Sequence, residues 1–480
     1  MGNVLHDKRP SWSKFIAYRE PVIKKSTSPD VVVLSSSTDS ILTPNPAFVT
    51  CDDAAAFLHE SLQGQRGAEF SGFILKNEEG HFFCATEVMY DDESADAQKE
   101  PNFALAVSVN VNGELEVPGG YTLEARLLSH ADNVRGLEVS IAEWSQRKLF
   151  FSFSDLFEVM TQRRNFSRCY VSGSDGGLIS YTSKDSEFEQ ELSRQLGRKP
   201  DGGLQSFESL YEGGAVPGSI LILLAVAAGE VVTVVPGNLW RIRGKLKASW
   251  RKDILQQNPP IGLMPVCGPI LKDAREVARY LHTKMQKLSS TQQQVGIVLK
   301  HKTQEVFVVN LPVASDYATF NREALFPKDH QGNPMLPETF RVHGFYHSMN
   351  PVPVNRLPST DVELYKNFFS PADMRVGLGR VAVAPHHRLF LCTPDGAVLR
   401  FAKPESEKAM VLRVKLELYT DGQQDIEQKI MKGDISPRAF VDWVAAAGVL
   451  GGLYTSKVWP RAGRVSVSDT VVAVDPEAMQ

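Results

Sequence analysis

The chain has 480 residues, 42% of them hydrophobic and 22% charged, with a formal net charge of −4 at pH 7. That length exceeds what one hydrophobic core serves and predicts two to three domains of a soluble globular protein. Slight acidity without a dense Lys/Arg stripe argues against a nucleic-acid partner. The five cysteines (Cys51, Cys84, Cys169, Cys267 and Cys392) are scattered and contain no Cys-x-x-Cys pair. This usage speaks against a disulfide framework or a thiolate zinc site, and for a reducing compartment.

At the N-terminus "MGNVLHDKRPSWSKF" carries charge but no apolar core, so no Sec signal peptide is expected and the producing cell's cytoplasm is the default location. Residues 1–45 are rich in Ser, Thr and Pro and read as a leader. From there the chain repeats itself. "DDAAAFLHESLQ" (52–63) answers "DAREVARYLHTKMQ" (273–286), "FSGFILK" (70–76) answers "QVGIVLK" (294–300), and "LLSHADN" (127–133) answers "GFYHSMN" (344–350). "FFSFSD" (150–155) answers "FFSPAD" (368–373), "SGSDGGLISY" (172–181) answers "CTPDGAVLRF" (392–401), and "AVAAG" (225–229) answers "VAAAG" (444–448). The offsets stay between 217 and 224, and Trp240 and Trp459 follow the last pair at equal distances. A tandem duplication explains this, with unit one at 46–255, a Pro/Gly-rich linker at 256–265, unit two at 266–472 and a tail at 473–480.

Each unit reads as mixed α/β. It opens on an amphipathic helix with Ala56, Leu58 and Leu62 in one copy and Val277, Leu281 and Met285 in the other. Two strands follow, and "NEEG" predicts a hairpin between them in unit one. A strand then ends at His130 or His347, and Ser-x-x-Asp (Ser152/Asp155, Ser370/Asp373) opens a helix as a capping box with a short acid. Asp175-Gly176 and Asp395-Gly396 predict a second hairpin. "SILILLAVAAGEVVTVVP" predicts a buried helix and strand rather than a membrane span, because Glu230 interrupts it.

"GFYHSMNP", "EFSG" (Glu69 to Gly72) and the two Ser-x-x-Asp segments together resemble the JAMM (MPN-type) zinc metalloproteases and related toxin-associated bacterial domains with a His-x-His-Pro strand end. The likeness spans roughly 105 residues of each unit. It implies two tandem JAMM-like mixed-sheet units with flanking helices. It also implies a site in which His and its i+2 neighbour share a strand face and an Asp from a helix start completes three ligands. Zinc there lowers the pKa of a bound water to about 7. Carried over, unit one keeps Glu69 as general acid/base, His130, Asp132 and Asp155 as ligands and Ser152 as the oxyanion group, and could hold one zinc. Unit two keeps His347, Ser370 and Asp373. Met349 stands in place of a ligand and Gln293 in place of the Glu, so this second site is degenerate and no metal is expected there.

The spacing departs from the family. Ser follows His by 22 residues in unit one and 23 in unit two, longer than the family's habit. Ser359 and Asp361 fall at the shorter distance in unit two but have no twin.

Plainer readings stand beside these. The Ser/Asp pairs are helix caps first, Glu69 suits a solvent-facing strand residue, and Asp132 suits a turn. His386 and His387, adjacent on a strand, point to opposite faces. Trp240 and Trp459 suit a core, and the basic "WRIRGKLKASWRK" suits a solvated face. Two functional classes remain. One is a protein-interaction or effector/toxin-type protein made of two JAMM-like domains with degraded sites, acting in or delivered into a target cell. The other is a metal-dependent peptidase or isopeptidase with unit one catalytic and unit two a pseudoenzyme. Both imply a protein as partner or substrate.

Overall fold

The computed structural model describes residues 24–25, 45–62, 69–89, 103–109, 114–130, 140–197, 206–250, 263–288, 291–321, 325–349, 352, 357–384, 387–402, 404, 407–418 and 425–465. The chain divides into two compact units, 1–260 and 261–480. Each is built on its own mixed sheet. Among the described residues no helix is long and apolar enough to cross a membrane.

In unit one a two-residue strand β1 (Lys24–Lys25) precedes helix α1 (Cys51–Ser61). Thr50 caps α1 by accepting from the Asp53 amide while the Asp53 carboxylate accepts from the Thr50 amide. Strands β2 (Phe70–Asn77) and β3 (Phe82–Met89) form the first hairpin, turning where Gly80 adopts φ +87°. Two short strands unforeseen in the sequence, β4 (Ala106–Val109) and β5 (Leu115–Val117), extend that edge before β6 (Tyr121–Ser129) returns to pair with β2. Helices α2 (Ile141–Lys148) and α3 (Phe153–Thr161) cross over to β7 (Arg168–Ser172), which lies parallel to β6. Then come β8 (Leu178–Thr182), α4 (Glu187–Leu196), α5 (Phe207–Glu212), α6 (Gly218–Ala228), β9 (Glu230–Val235) and β10 (Gly244–Lys245). The sheet order is β1-β5-β4-β3-β2-β6-β7-β8-β9-β10. Its core joins Phe73 and Leu75 of β2 to Phe151, Leu156, Tyr181, Ile222, Val231 and Trp240. The apolar run around 219–235 is thus a buried helix and a strand.

Unit two repeats this plan. Helix α7 (Ala274–Gln286), strands β11 (Gln294–His301), β12 (Phe307–Val309), β13 (Val313–Ala314) and β14 (Phe340–Ser348) come first. Helices α8 (Val362–Lys366) and α9 (Pro371–Val383) lead to β15 (Arg388–Cys392) and β16 (Val398–Ala402). Helices α10 (Glu407–Leu418), α11 (Ile426–Lys432) and α12 (Pro437–Ala447) precede β17 (Val449–Tyr454) and β18 (Gly463–Arg464). The order β12-β11-β14-β15-β16-β17-β18 matches β3-β2-β6-β7-β8-β9-β10, including the parallel contact β14–β15. Even the register irregularities coincide, at Ile74/Leu75 and Val298/Leu299, and at Leu178/Ile179 and Val398/Leu399.

The repeated side chains do equivalent structural work. Trp240 Nε1 donates to the Leu149 carbonyl at 2.8 Å, and Trp459 Nε1 to the Asn367 carbonyl at 2.7 Å. Asp175 and Asp395 each accept the backbone amide just before the Trp (Leu239, Val458) at 3.0 Å. His59 and His282 reach the carbonyls of Gly176 and Gly396, the turn glycines with φ +88° and +96°. Replacing either Trp with Phe leaves a buried carbonyl without its donor. Urea unfolding of each single variant is expected to show a loss of about 1–3 kcal/mol, summing in the double variant.

Candidate functional site

In unit one the pairing of Phe70 with Ser129 places Glu69 and His130 at the same end of two neighbouring strands. Helix α3 delivers Asp155 to the same place. Ser152, its N-cap, accepts from the Asp155 amide, and the Asp155 carboxylate accepts from the Ser152 amide at 2.7 Å. Asp155 Oδ2 also meets His130 Nε2 at 2.9 Å. Ser152 Oγ lies 2.8 Å from Ser154 Oγ. The helix is further tied to the sheet by Arg126, which donates to both Glu158 oxygens at 2.6 and 2.7 Å. Glu69 is exposed. Asp132 lies outside the described residues.

Burial pushes the His130 imidazole down, but the charge and hydrogen bond of Asp155, the Lys148 carbonyl and Glu69 outweigh it, so the ring is held above its ordinary 6.5. Burial raises Asp155, yet His130 and the Ser152 amide and hydroxyl overcome this and bring it down to about 2. The pair is therefore an ion pair at mildly acidic pH.

Unit two arranges its residues differently. His347 is fully buried, while Gln293 is 2% exposed and packs against it. Gln293 Oε1 accepts the Tyr317 amide at 2.7 Å, which fixes the amide's orientation. Its Nε2 then donates to the Ser348 carbonyl at 2.8 Å and faces His347 Nδ1 at 3.2 Å. The Tyr317 ring stacks on His347, centroids 4.2 Å apart. Asp373 forms the same capping box with Ser370 that Asp155 forms with Ser152. Burial holds His347 below its ordinary value although the Asp373 charge and the Ser348 carbonyl oppose it, and Arg380 reinforces the depression. His347 is thus neutral, where His130 is poised to be charged.

The register corrects the sequence alignment of the two histidines. Gly72 pairs with Leu127 and Gly296 with Tyr346, while on the other side Leu127 pairs with Tyr170 and Tyr346 with Phe390. Leu127 and Tyr346 are therefore equivalent, at an offset of 219 shared by the whole strand. His347 corresponds to Leu128 and His130 to Met349. The sequence had paired His130 with His347 because both end their strands, but the slip of two keeps the same face and so escapes the alternation pattern.

Zinc needs three protein donors around an open position. Among the described residues of unit one two converge, His130 and Asp155, and the strand position two residues before His130 holds Leu128. In unit two Gln293 engages His347 Nδ1 and leaves Nε2 without a partner, but the expected second position carries the Met349 thioether, a soft and weak donor. Unit two does not fit the ion. Among the described residues no group of three His, Cys, Asp or Glu side chains is arranged to hold a metal. Ser359 and Asp361 do not recreate the motif: Asp361 precedes α8 at φ +52° and makes no side-chain cap bond. His387 packs edge-on against Phe345 at 5.4 Å, and His386 lies outside the described residues.

Two residues of the unit-two site went unforeseen. Arg380 shares a helix face with Asp373, seven residues earlier, and that spacing is a signal the sequence does carry. Tyr317 sits in a stretch with no counterpart among the repeated segments, so the duplication was blind to it. The chain matches no family model, no curated protein and no solved structure.

The His130–Asp155 pair gives unit one a two-sided pH dependence. The raised His130 contributes stability that is fully present below pH 6.5 and is lost as pH rises through its folded-state value. The lowered Asp155 contributes stability present above 3.8, its ordinary value, and lost as pH falls toward about 2. Urea denaturation should therefore show unit one less stable at pH 8.5 than at about pH 5.5, with His130→Gln removing most of that alkaline loss.

Proposed function

We propose that the chain is a protein-binding protein, of the effector or toxin-component kind, built from two JAMM-like domains whose metal sites have decayed by different routes. One observation carries the reading. The shared strand register gives unit one a histidine only at the second of the two ligand positions and unit two a histidine only at the first. Each unit keeps the helix-start Asp, so each has two of the three donors the resemblance requires, and a different one is missing in each. The capping boxes explain why Ser and Asp persist, since they start α3 and α9 whether or not a metal binds. A protein partner follows from the family resemblance and from the absence of any strong basic field in the composition. Action inside a target cell, after delivery from a producing cell, belongs to the same proposal.

A second reading has one observation in its favour. Exposed Glu69 stands at the strand end beside His130 and Asp155. That is an acid/base, a nitrogen donor and a carboxylate at one strand end, the minimum of a peptidase or isopeptidase site in unit one.

Elemental analysis after incubation with zinc and desalting decides between them. The binding reading expects no retained metal in the full chain and no change in Asp155→Ala. Roughly one equivalent of zinc, lost in Asp155→Ala, would establish the hydrolase reading instead.

A further inference from the structure

The cleft of unit two is filled from within. After β13 the chain makes a turn over residues 315–320, closed by the Thr319 amide donating to the Asp316 carbonyl at 3.1 Å. Asp316 Oδ1 accepts the Ala318 amide at 2.8 Å. Of its side chains only Tyr317 and Phe320 are buried; Asp316, Ala318 and Thr319 are exposed. The turn is held almost entirely through its backbone and those two rings. The Ser315 amide donates to the Gln293 carbonyl at 2.9 Å, and the Tyr317 amide to Gln293 Oε1. Arg380 Nη2 donates to the Tyr317 carbonyl at 3.1 Å and to the Phe320 carbonyl at 2.8 Å. Its guanidinium lies 4.5 Å from the Tyr317 ring centre, and His347 stacks on the same ring.

A bound peptide is held in the same manner, with main-chain groups clamped by fixed side chains and aromatic anchors sunk into pockets. The fit is also incomplete. His347 Nε2 is buried without a hydrogen-bond partner. Such a group works against the closed state, because opening would return it to water. In unit one the counterpart of Gln293 is Glu69, which is exposed.

We propose that this cleft is a docking site for a protein segment presenting two aromatic side chains three residues apart on a turn, and that Tyr317 and Phe320 occupy it in cis until such a segment displaces them. The inference deepens the protein-binding reading. Zinc retained by unit one would overturn that reading and leave the exchange and peptide binding of the unit-two cleft unchanged.

The test uses the full chain. Hydrogen exchange followed by mass spectrometry is expected to show residues 313–321 exchanging at least about tenfold faster than strand β11, through local opening. Tyr317→Ala, which removes the ring that His347 and Arg380 hold, should speed that exchange. A labelled synthetic peptide of residues 313–321 should bind Tyr317→Ala at least about tenfold more tightly than the unmodified chain, where the tethered turn competes at high effective concentration. Adding Arg380→Ala to that variant should abolish the binding. Exchange as slow as that of β11, slower exchange in Tyr317→Ala, or equal or absent peptide binding to folded Tyr317→Ala would overturn the proposal. Should Tyr317→Ala fail to fold, the exchange of residues 313–321 in the unmodified chain still decides the matter.

Discussion

In each sheet an antiparallel strand pair meets at a glycine that leaves little room for a side chain. A Cβ on Gly72 would stand 3.0 Å from the Phe70 ring and 3.2 Å from the Ala85 carbonyl, and one on Gly296 would collide with the Tyr346 ring. Tyr346 passes over Gly296 to donate its hydroxyl to the Asn310 carbonyl at 2.7 Å, and the Asn310 side chain in turn accepts the Ile297 amide at 2.6 Å. The Tyr346 contacts hold β14 against β11 in one register, and β2 pairs with β6 in the equivalent register around Gly72. Both candidate sites descend from that register. It decides which side chain stands at each strand end, opposite the helix that brings Asp155 or Asp373.

With the register fixed, the two units use the same scaffold differently. Unit one turned its strand end into a charged contact: His130 and Asp155 hold one another, and Arg126 and Glu158 tie the same helix to the sheet a turn later. Unit two has Phe345 where unit one has Arg126, and the Arg380 guanidinium lies 5.1 Å from the Phe345 ring centre. There the histidine is neutral, buried and stacked, and the polar work passes to Gln293 and Arg380. A Gln amide accepts a main-chain amide and donates to a carbonyl at once, which a carboxylate cannot do. Gln293 is therefore suited to hold a peptide turn, where Glu69 is suited to remain in water.

The duplication and the mixed-sheet architecture were legible from the sequence because each repeated segment has a local cause. The Asp-Gly turns need a left-handed glycine, Ser-x-x-Asp is a capping box, and the Trp near each C-terminal end closes on a carbonyl of the α2–α3 or α8–α9 corner. The strands β4 and β5 were not legible. They are short and lie in a stretch without a twin, so neither periodicity nor repetition marked them.

Of the candidate site, the sequence alone determined the chemistry on offer: Glu69, His130 and Asp155 in one half, Gln293, His347 and Asp373 in the other. It could not determine how those residues correspond. A strand repeats its facing every second residue, so a shift of two leaves the pattern intact and moves a histidine by a whole ligand position. Only the hydrogen-bonded neighbours on both sides of β6 and β14 resolve that ambiguity, and they are distant in sequence. The same holds for Tyr317: a buried ring stacked on His347 and clamped by Arg380 is a property of three segments meeting, and no one of them announces it.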